Sequence, residues 1–147
     1  MSYFVLLSFF AGIAIAIQAN MNSKLGVLLT SSLLATFVAL ISSAVFISIA
    51  MTFFVKDFPS TDVVKSIPIY LWFTGGVLSA FALASFYFVI PKIGILSMIS
   101  FGLTGQLIYS VISSHFGWFD LPVSTINVSK ILGVIAMLVG IFLINKG

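Results

Sequence analysis

The sequence predicts an all-α protein that crosses a membrane five times. Of its 147 residues, 61% are hydrophobic and 6% are charged, and the mean hydropathy is +1.31. A soluble domain carries about 25% charged residues, so this chain has too few to cover a surface that faces water. Five long apolar stretches are separated by polar segments. In lipid, backbone N–H and C=O groups must form hydrogen bonds within the protein, so a span is either a helix or a barrel strand. The alternating pattern of barrel strands is absent, so the spans are predicted to be helices.

Composition also argues against several classes of function. The net charge of +3 is small and scattered, which disfavours nucleic-acid binding. The chain has no cysteine, so it has no disulfide and no thiolate metal site. The single histidine, His115, has no convergent set of metal ligands beside it, and no activating acid accompanies a nucleophile. We therefore expect no enzyme activity, no metal and no cofactor.

The first apolar run begins at the N-terminus. Because the residues before it lack Lys and Arg and no clear cleavage site follows, we interpret it as a span and not as a signal peptide. It is predicted to end at Ala19, within a polar cluster that includes Gln18, Asn22 and Lys24. The second run is longer than one crossing requires but too short for two, so we expect one tilted or over-long helix that stops before Lys56.

Polar segments separate the remaining spans. The stretch 56–66 is the most polar of the chain, and its run Ser60-Thr61-Asp62 predicts a cap for a short interfacial turn. Pro68 suits the first turn of a helix. Residues 91–94 form a tight break, so the third and fourth spans are predicted to make an antiparallel hairpin. Residues 1–147 are expected to be one domain with spans at 3–19, 27–55, 68–90, 93–114 and 127–145.

The six lysines divide equally between the two faces of the membrane. Successive gaps between spans alternate in face, which gives Lys56, Lys65 and Lys130 on one face and Lys24, Lys92 and Lys146 on the other. There is no arginine, so the positive-inside rule finds no excess to fix an orientation. An odd number of spans without a bias favours insertion both ways up and pairing with an inverted copy, as in carriers built from inverted repeats.

No Asp or Glu lies inside a predicted span. Asp57 and Asp62 are in a loop, and Asp120 lies just beyond the fourth span. Carboxylates within the membrane are the usual proton relays and counter-ions for cations. Their absence argues against both roles and favours a neutral, zwitterionic or anionic solute, with Asp120 at a cavity mouth as the one reservation.

Polar and aromatic residues in the spans are candidates for the wall of a solute cavity. Gln18 and Asn22 are one turn apart on the same helical face. Gln106 lies well inside the fourth span, where an amide needs a partner or a wet cavity. Hydrogen bonding between helices for packing alone is the alternative, and interfacial anchoring is the alternative for Trp72. The candidate cavity residues are Gln18, Asn22, Trp72, Tyr87, Gln106 and Tyr109.

Small residues mark candidate surfaces for helix packing or dimer contact. Gly75 and Ser79 have the four-residue spacing that lets membrane helices touch. The full set is Gly75, Gly76, Ser79, Gly105, Gly133 and Gly140. His115, next to Phe116 at a helix end, is interpreted as an interfacial residue, with a pH-sensing role as the alternative.

Six short motifs follow one another along the chain: Gln18-Ala19-x-x-Asn22-x-x-Leu25, Trp72-x-x-Gly75-Gly76, Pro91-Lys92-x-Gly94, Gly105-Gln106, His115-Phe116-Gly117 and Lys130-x-x-Gly133. Together they resemble the YdcZ-type branch of the drug/metabolite transporter superfamily, over nearly the whole chain. The resemblance implies a half-size carrier of the bacterial inner membrane. Two five-span chains would form one ten-helix transporter with inverted repeats, which exports or exchanges small solutes by alternating access.

The chain departs from the family pattern at three places. Ser114 stands where an acid is common before the His-Phe-Gly element, and Lys130 stands where arginine is common. The run 37–40 lacks a glycine that is usual in the second span. These changes weaken any role that depends on an ion pair at the end of the fourth span.

The sequence therefore predicts an antiparallel homodimer with a cavity at its axis, lined by the first, third and fourth spans. Its partners are an inverted second copy, a small solute and the lipid bilayer. Two alternatives stay open. One is an obligate heterodimer with a paralogous five-span chain. The other is a non-transporting assembly or regulatory subunit of the membrane.

Overall fold

The computed structural model describes residues 2–120 and 122–146, without the side chains of Ser2 and Asp120. Met1, Leu121 and Gly147 lie outside the described residues. Within the described ranges the regular structure is helical and contains no strand. Its elements are α1 (Ser2–Leu28), α2 (Ser32–Phe54), α3 (Thr61–Ser66), α4 (Ile69–Ile93), α5 (Ile95–Phe116), a 3-10 turn (Trp118–Asp120) and α6 (Val128–Lys146).

Five of these helices, α1, α2, α4, α5 and α6, are long and apolar enough to cross a membrane. Most of their large apolar side chains are exposed, as expected where lipid or another membrane helix covers the surface. The prediction of an all-α protein with five spans is confirmed. The chain divides into two compact units, Met1–Lys92 and Ile93–Gly147, and the prediction of a single domain stays a prediction.

In the first unit, α1 and α2 contact each other across the short segment 29–31. Gly26 lies against the start of α2, where an added Cβ would meet atoms of Ala35 and Ser32 at 3.5 Å. Thr30 has a positive φ of 54°. Ser31 then caps α2, because its hydroxyl oxygen accepts a hydrogen bond from Leu34 N over 3.3 Å. The break between helices thus falls inside the run that hydropathy predicted as one over-long helix.

The helix α1 continues past Ala19, where we expected the first span to end, to Leu28. At the other end of the unit, α4 begins just after Pro68 and continues through Pro91 to Ile93. The chain turns at Gly94, whose φ of 82° suits a residue without a Cβ. The predicted cap at Ser60 is confirmed, since its hydroxyl accepts from Val63 N at the start of α3.

In the second unit, α5 contacts α6. Gly117, with a φ of 62°, ends α5 in the left-handed conformation. The connecting segment folds back along the end of α5, where Ser124 N donates to the Ser114 carbonyl over 2.9 Å. Asn127 then starts α6, because its Oδ1 accepts from Lys130 N over 2.9 Å.

Candidate functional site

A hydrogen bond between Asn22 and Tyr87 joins α1 to α4. Tyr87 is only 1% exposed, and Asn22 Nδ2 donates to its hydroxyl over 3.1 Å. In hydrocarbon, an amide or a phenol without a partner is costly to bury. The two side chains satisfy each other, so a polar pair is held between two spans. The structure brings these two predicted cavity residues together.

The backbone of α4 makes a second contact at the same place. Pro91 lies four residues after Tyr87 inside the helix. Proline has no N–H, so the Tyr87 carbonyl lacks its usual donor from the next turn. Ser23 supplies one, because its hydroxyl donates to this carbonyl in a long bond of 3.5 Å. Ser23 is 3% exposed, so the bond forms away from water.

A groove of about 350 Å³ runs along α1 beside the Asn22–Tyr87 pair. Its walls include Gln18 and Asn22, together with the apolar side chains of Ile17 and Met21. Gln18 is half-buried. Among the described residues its amide has no hydrogen-bond partner, so it is available to a ligand or to another chain.

The other candidate residues lie elsewhere. Trp72 is 55% exposed near the start of α4, fifteen residues from Tyr87 and so roughly 22 Å away along the helix axis. Tyr109 is 52% exposed, and its ring centroid lies 6.0 Å from that of Trp118. This aromatic pair lies near the end of α5, where such residues are typical of a membrane interface.

Gln106 projects from the middle of α5 and is exposed. The described residues offer its amide no hydrogen-bond partner. In the membrane an exposed amide must be covered by a second chain, a ligand or water. Gln106 therefore differs from Asn22, which is satisfied within its own unit.

The predicted packing glycines do not make close contacts within the described chain. An added Cβ would meet nothing within 4 Å at five of them, namely Gly75, Gly76, Gly105, Gly133 and Gly140. Ser79 is also exposed. These small residues leave open surfaces on α4, α5 and α6.

His115 and Lys130 hold the segment that precedes α6. The Nδ1 atom of His115 accepts a hydrogen bond from Ile126 N over 3.3 Å. The Lys130 ammonium donates to the Ser124 hydroxyl over 2.7 Å and also to the Thr125 carbonyl. Lys130 thus bonds neutral oxygens. This agrees with Ser114, which stands where an acid is common in the family pattern. Asp120 was the one acid that could still serve a cationic solute, at a cavity mouth. Its side chain lies outside the described residues.

Neither Ser23 nor the effect of Pro91 on the Tyr87 carbonyl was singled out from the sequence. A signal for both was present, because a proline four residues after Tyr87 frees a carbonyl that must find another donor. The sequence did not show that Ser23, on a different helix, would supply it. The partner depends on how α1 and α4 pack.

Five helices fit to span a membrane, with polar side chains bonded between two of them and a groove beside the pair, define a polytopic membrane protein with a candidate solute site. The family model described as "Putative inner membrane exporter, YdcZ" matches residues 3–143. The chain belongs to this YdcZ family of the drug/metabolite transporters, which confirms the resemblance seen in the motifs. Comparison with curated proteins and with solved structures gives no match.

Family and fold together make the chain a multi-pass protein of the inner membrane. The family is one of exporters and not of enzymes. Its surroundings are the lipid bilayer, and its cargo is a small solute. Among the described residues no group of three or more His, Cys, Asp or Glu could hold a metal ion.

Proposed function

We propose that this chain is half of an exporter, which works as an antiparallel homodimer and moves a small solute by alternating access. The observation that carries the proposal is the Asn22–Tyr87 hydrogen bond beside the groove that Gln18 lines. Solute sites combine apolar walls with a few placed polar groups. Gln18, Asn22 and Tyr87 provide such groups on two spans.

The solute class follows from the charges. The helices α1, α2, α4, α5 and α6 contain no Asp or Glu, so no carboxylate within a span is available to bind a cation or carry a proton. Amides and a phenol can both donate and accept hydrogen bonds. These groups favour a neutral, zwitterionic or anionic solute.

Two observations support a second copy as the partner. Gln106 and the open glycines form polar and small-residue surfaces that neither unit covers by itself, and such surfaces are typical of contacts between membrane helices. The equal division of lysines between the two faces supports an inverted copy, because five spans place the termini on opposite faces. Two inverted chains then supply the two halves of a pseudo-symmetric carrier.

The orientation can be tested by tagging both ends of the chain and measuring the accessibility of each tag from either side of the membrane. We expect each tag to be accessible from both sides in comparable amounts. A single orientation in all molecules contradicts dual insertion. If a second five-span protein also co-purifies, the heterodimer replaces the homodimer.

Transport can be tested with the purified chain in proteoliposomes, using a panel of neutral, zwitterionic and anionic solutes. We expect Gln18→Leu to abolish flux of any solute that the native chain carries, because the Gln18 amide lines the groove and has no hydrogen-bond partner among the described residues. Ser8→Ala is the matched control, because the Ser8 hydroxyl bonds only the Phe4 carbonyl of its own helix. Absence of flux for every solute class would favour a non-transporting subunit.

A further inference from the structure

The first unit has a second cavity, separate from the groove along α1. It has about 220 Å³ and lies between the last turn of α1, the first turn of α2 and the last turn of α4. Pockets for drug-sized ligands have roughly 300–1,000 Å³, so this one suits a smaller group. The wall residues that matter here are Val27, Thr30, Ser32, Phe88 and Lys92.

Lys92 gives the cavity a positive charge. Its Nζ atom lies 3.7 Å from the centroid of the Phe88 ring, so a cation–π contact holds the ammonium at the wall. The ring accepts no conventional hydrogen bond, and an ammonium has three donors. Most of its hydrogen-bonding capacity therefore remains for a ligand.

The start of α2 adds neutral donors to the wall of the cavity. The hydroxyls of Thr30 and Ser31 are engaged locally, with the Leu29 carbonyl and with Leu34 N. The Ser32 hydroxyl makes no hydrogen bond among the described residues. The Ser32 N–H is also one of the first-turn donors that an α-helix leaves without an internal acceptor. Ammonium, hydroxyl and backbone donors thus meet around one small space.

Within the first unit, no acid lies near these donors. Asp57 and Asp62 follow the far end of α2, whose 23 residues correspond to roughly 34 Å of helix. The end of the first unit that carries Lys24 and Lys92 therefore has positive charge without a compensating carboxylate of the same unit, and its potential attracts anions.

We propose that this cavity binds a phosphate group, carried by an anionic phospholipid or by a soluble anion. A phosphate has several acceptor oxygens and can bond the Lys92 ammonium and the Ser32 donors at once. A purely structural Lys92 would complement the dipole at the end of α4 and would leave anion binding unaffected. The proposal concerns binding and does not depend on the proposed transport.

The test uses the full chain purified in detergent and two probes. Native mass spectrometry compares the binding of phosphatidylglycerol with that of zwitterionic phosphatidylcholine. Thermal unfolding compares inorganic phosphate with chloride at equal ionic strength, because a ligand of the folded state raises the apparent stability. We expect preferential binding of phosphatidylglycerol. Stabilisation by inorganic phosphate as well would identify a site for soluble phosphate, and binding of neither probe overturns the proposal.

Three variants locate the binding. Lys92→Gln should weaken it about tenfold, as expected for loss of a hydrogen bond to a charged group. Lys24→Gln removes the same charge from the same end of the unit but outside the cavity wall, and should change affinity less than about twofold. Val27→Trp keeps every charge and fills the cavity, and should also weaken binding. Equal losses in the two lysine variants, or full binding by Val27→Trp, would contradict a site in the cavity.

Discussion

The two units treat the amides within their spans in opposite ways. In the first, Asn22 bonds the hydroxyl of Tyr87, and both side chains belong to helices of the same unit. In the second, Gln106 lies at the middle of α5, exposed and without a partner among the described residues. The amide therefore has a hydrogen-bond partner in the first unit and none among the described residues in the second.

The difference indicates which residues stabilise their own unit and which depend on something outside it. A polar pair between helices of one unit contributes to folding, with or without a ligand. An exposed amide within a span costs free energy until it is covered. Substitutions that break the Asn22–Tyr87 pair should therefore be visible in stability, whereas Gln106 should be visible in transport or assembly.

The largest effect is expected at Tyr87. Tyr87→Ala removes a fully buried ring and should lower the free energy of unfolding by about 3–5 kcal/mol. The measurement is reversible unfolding in mixed micelles. Tyr109→Ala is the matched control, because Tyr109 is 52% exposed, and it should cost much less. Equal losses for the two tyrosines would contradict the difference between the units.

Gln106→Leu is next. We expect solute flux in proteoliposomes to fall by about tenfold, since a polar partner left without its hydrogen bond costs about 1–3 kcal/mol, while the chain still folds and dimerises. Ser110→Ala, one turn along α5, is the control, because the Ser110 hydroxyl bonds only the Leu107 carbonyl. Unchanged flux in Gln106→Leu removes Gln106 from the site.

A double-mutant cycle tests the contact between Ser23 and the Tyr87 carbonyl. Ser23→Ala should cost about 1 kcal/mol of unfolding free energy in the native background, because a buried acceptor loses its donor. Pro91→Ala restores the N–H that this carbonyl lacks, so Ser23→Ala should then cost less. The difference is the coupling energy of the pair. Additive effects would show that Pro91 and Ser23 act independently.

The smallest effect is local and lies in the second unit. His115→Leu removes the acceptor of Ile126 N, so this amide should exchange its hydrogen about fivefold faster, which corresponds to about 1 kcal/mol of lost protection. Hydrogen exchange read by mass spectrometry on the peptide that contains Ile126 is the measurement. Unchanged exchange would show that the His115 bond does not hold this segment.

Hydropathy predicted the number of spans and their order, because each span is long and apolar. It placed the end of the first span at Ala19, since polar residues follow. The helix continues to Leu28 because Asn22 and Ser23 are satisfied by Tyr87 on another helix. Hydropathy summed over neighbouring residues carries no information about a hydrogen-bond partner on a distant helix.

Local chemistry predicted some features that hydropathy did not. Ser60 was expected to cap a short turn and does so for α3. Ser31 caps α2 in the same manner, yet the apolar residues around it favoured one continuous helix. For the candidate site, the sequence selected Asn22 and Tyr87 separately, but their pairing depends on the packing of α1 against α4. The proposed role of Gln106 stays a prediction, because it needs a partner outside its own unit.

Pro91 has a consequence for motion. The turn of α4 between Tyr87 and Pro91 lacks one backbone hydrogen bond, so this turn bends at lower cost than its neighbours. The Ser23 hydroxyl bonds the carbonyl at that turn, and Asn22 bonds the hydroxyl of the same tyrosine. These two bonds tie the start of the weakened turn to α1, so a bend of α4 that displaces Tyr87 must break them, and α1 opposes such a bend.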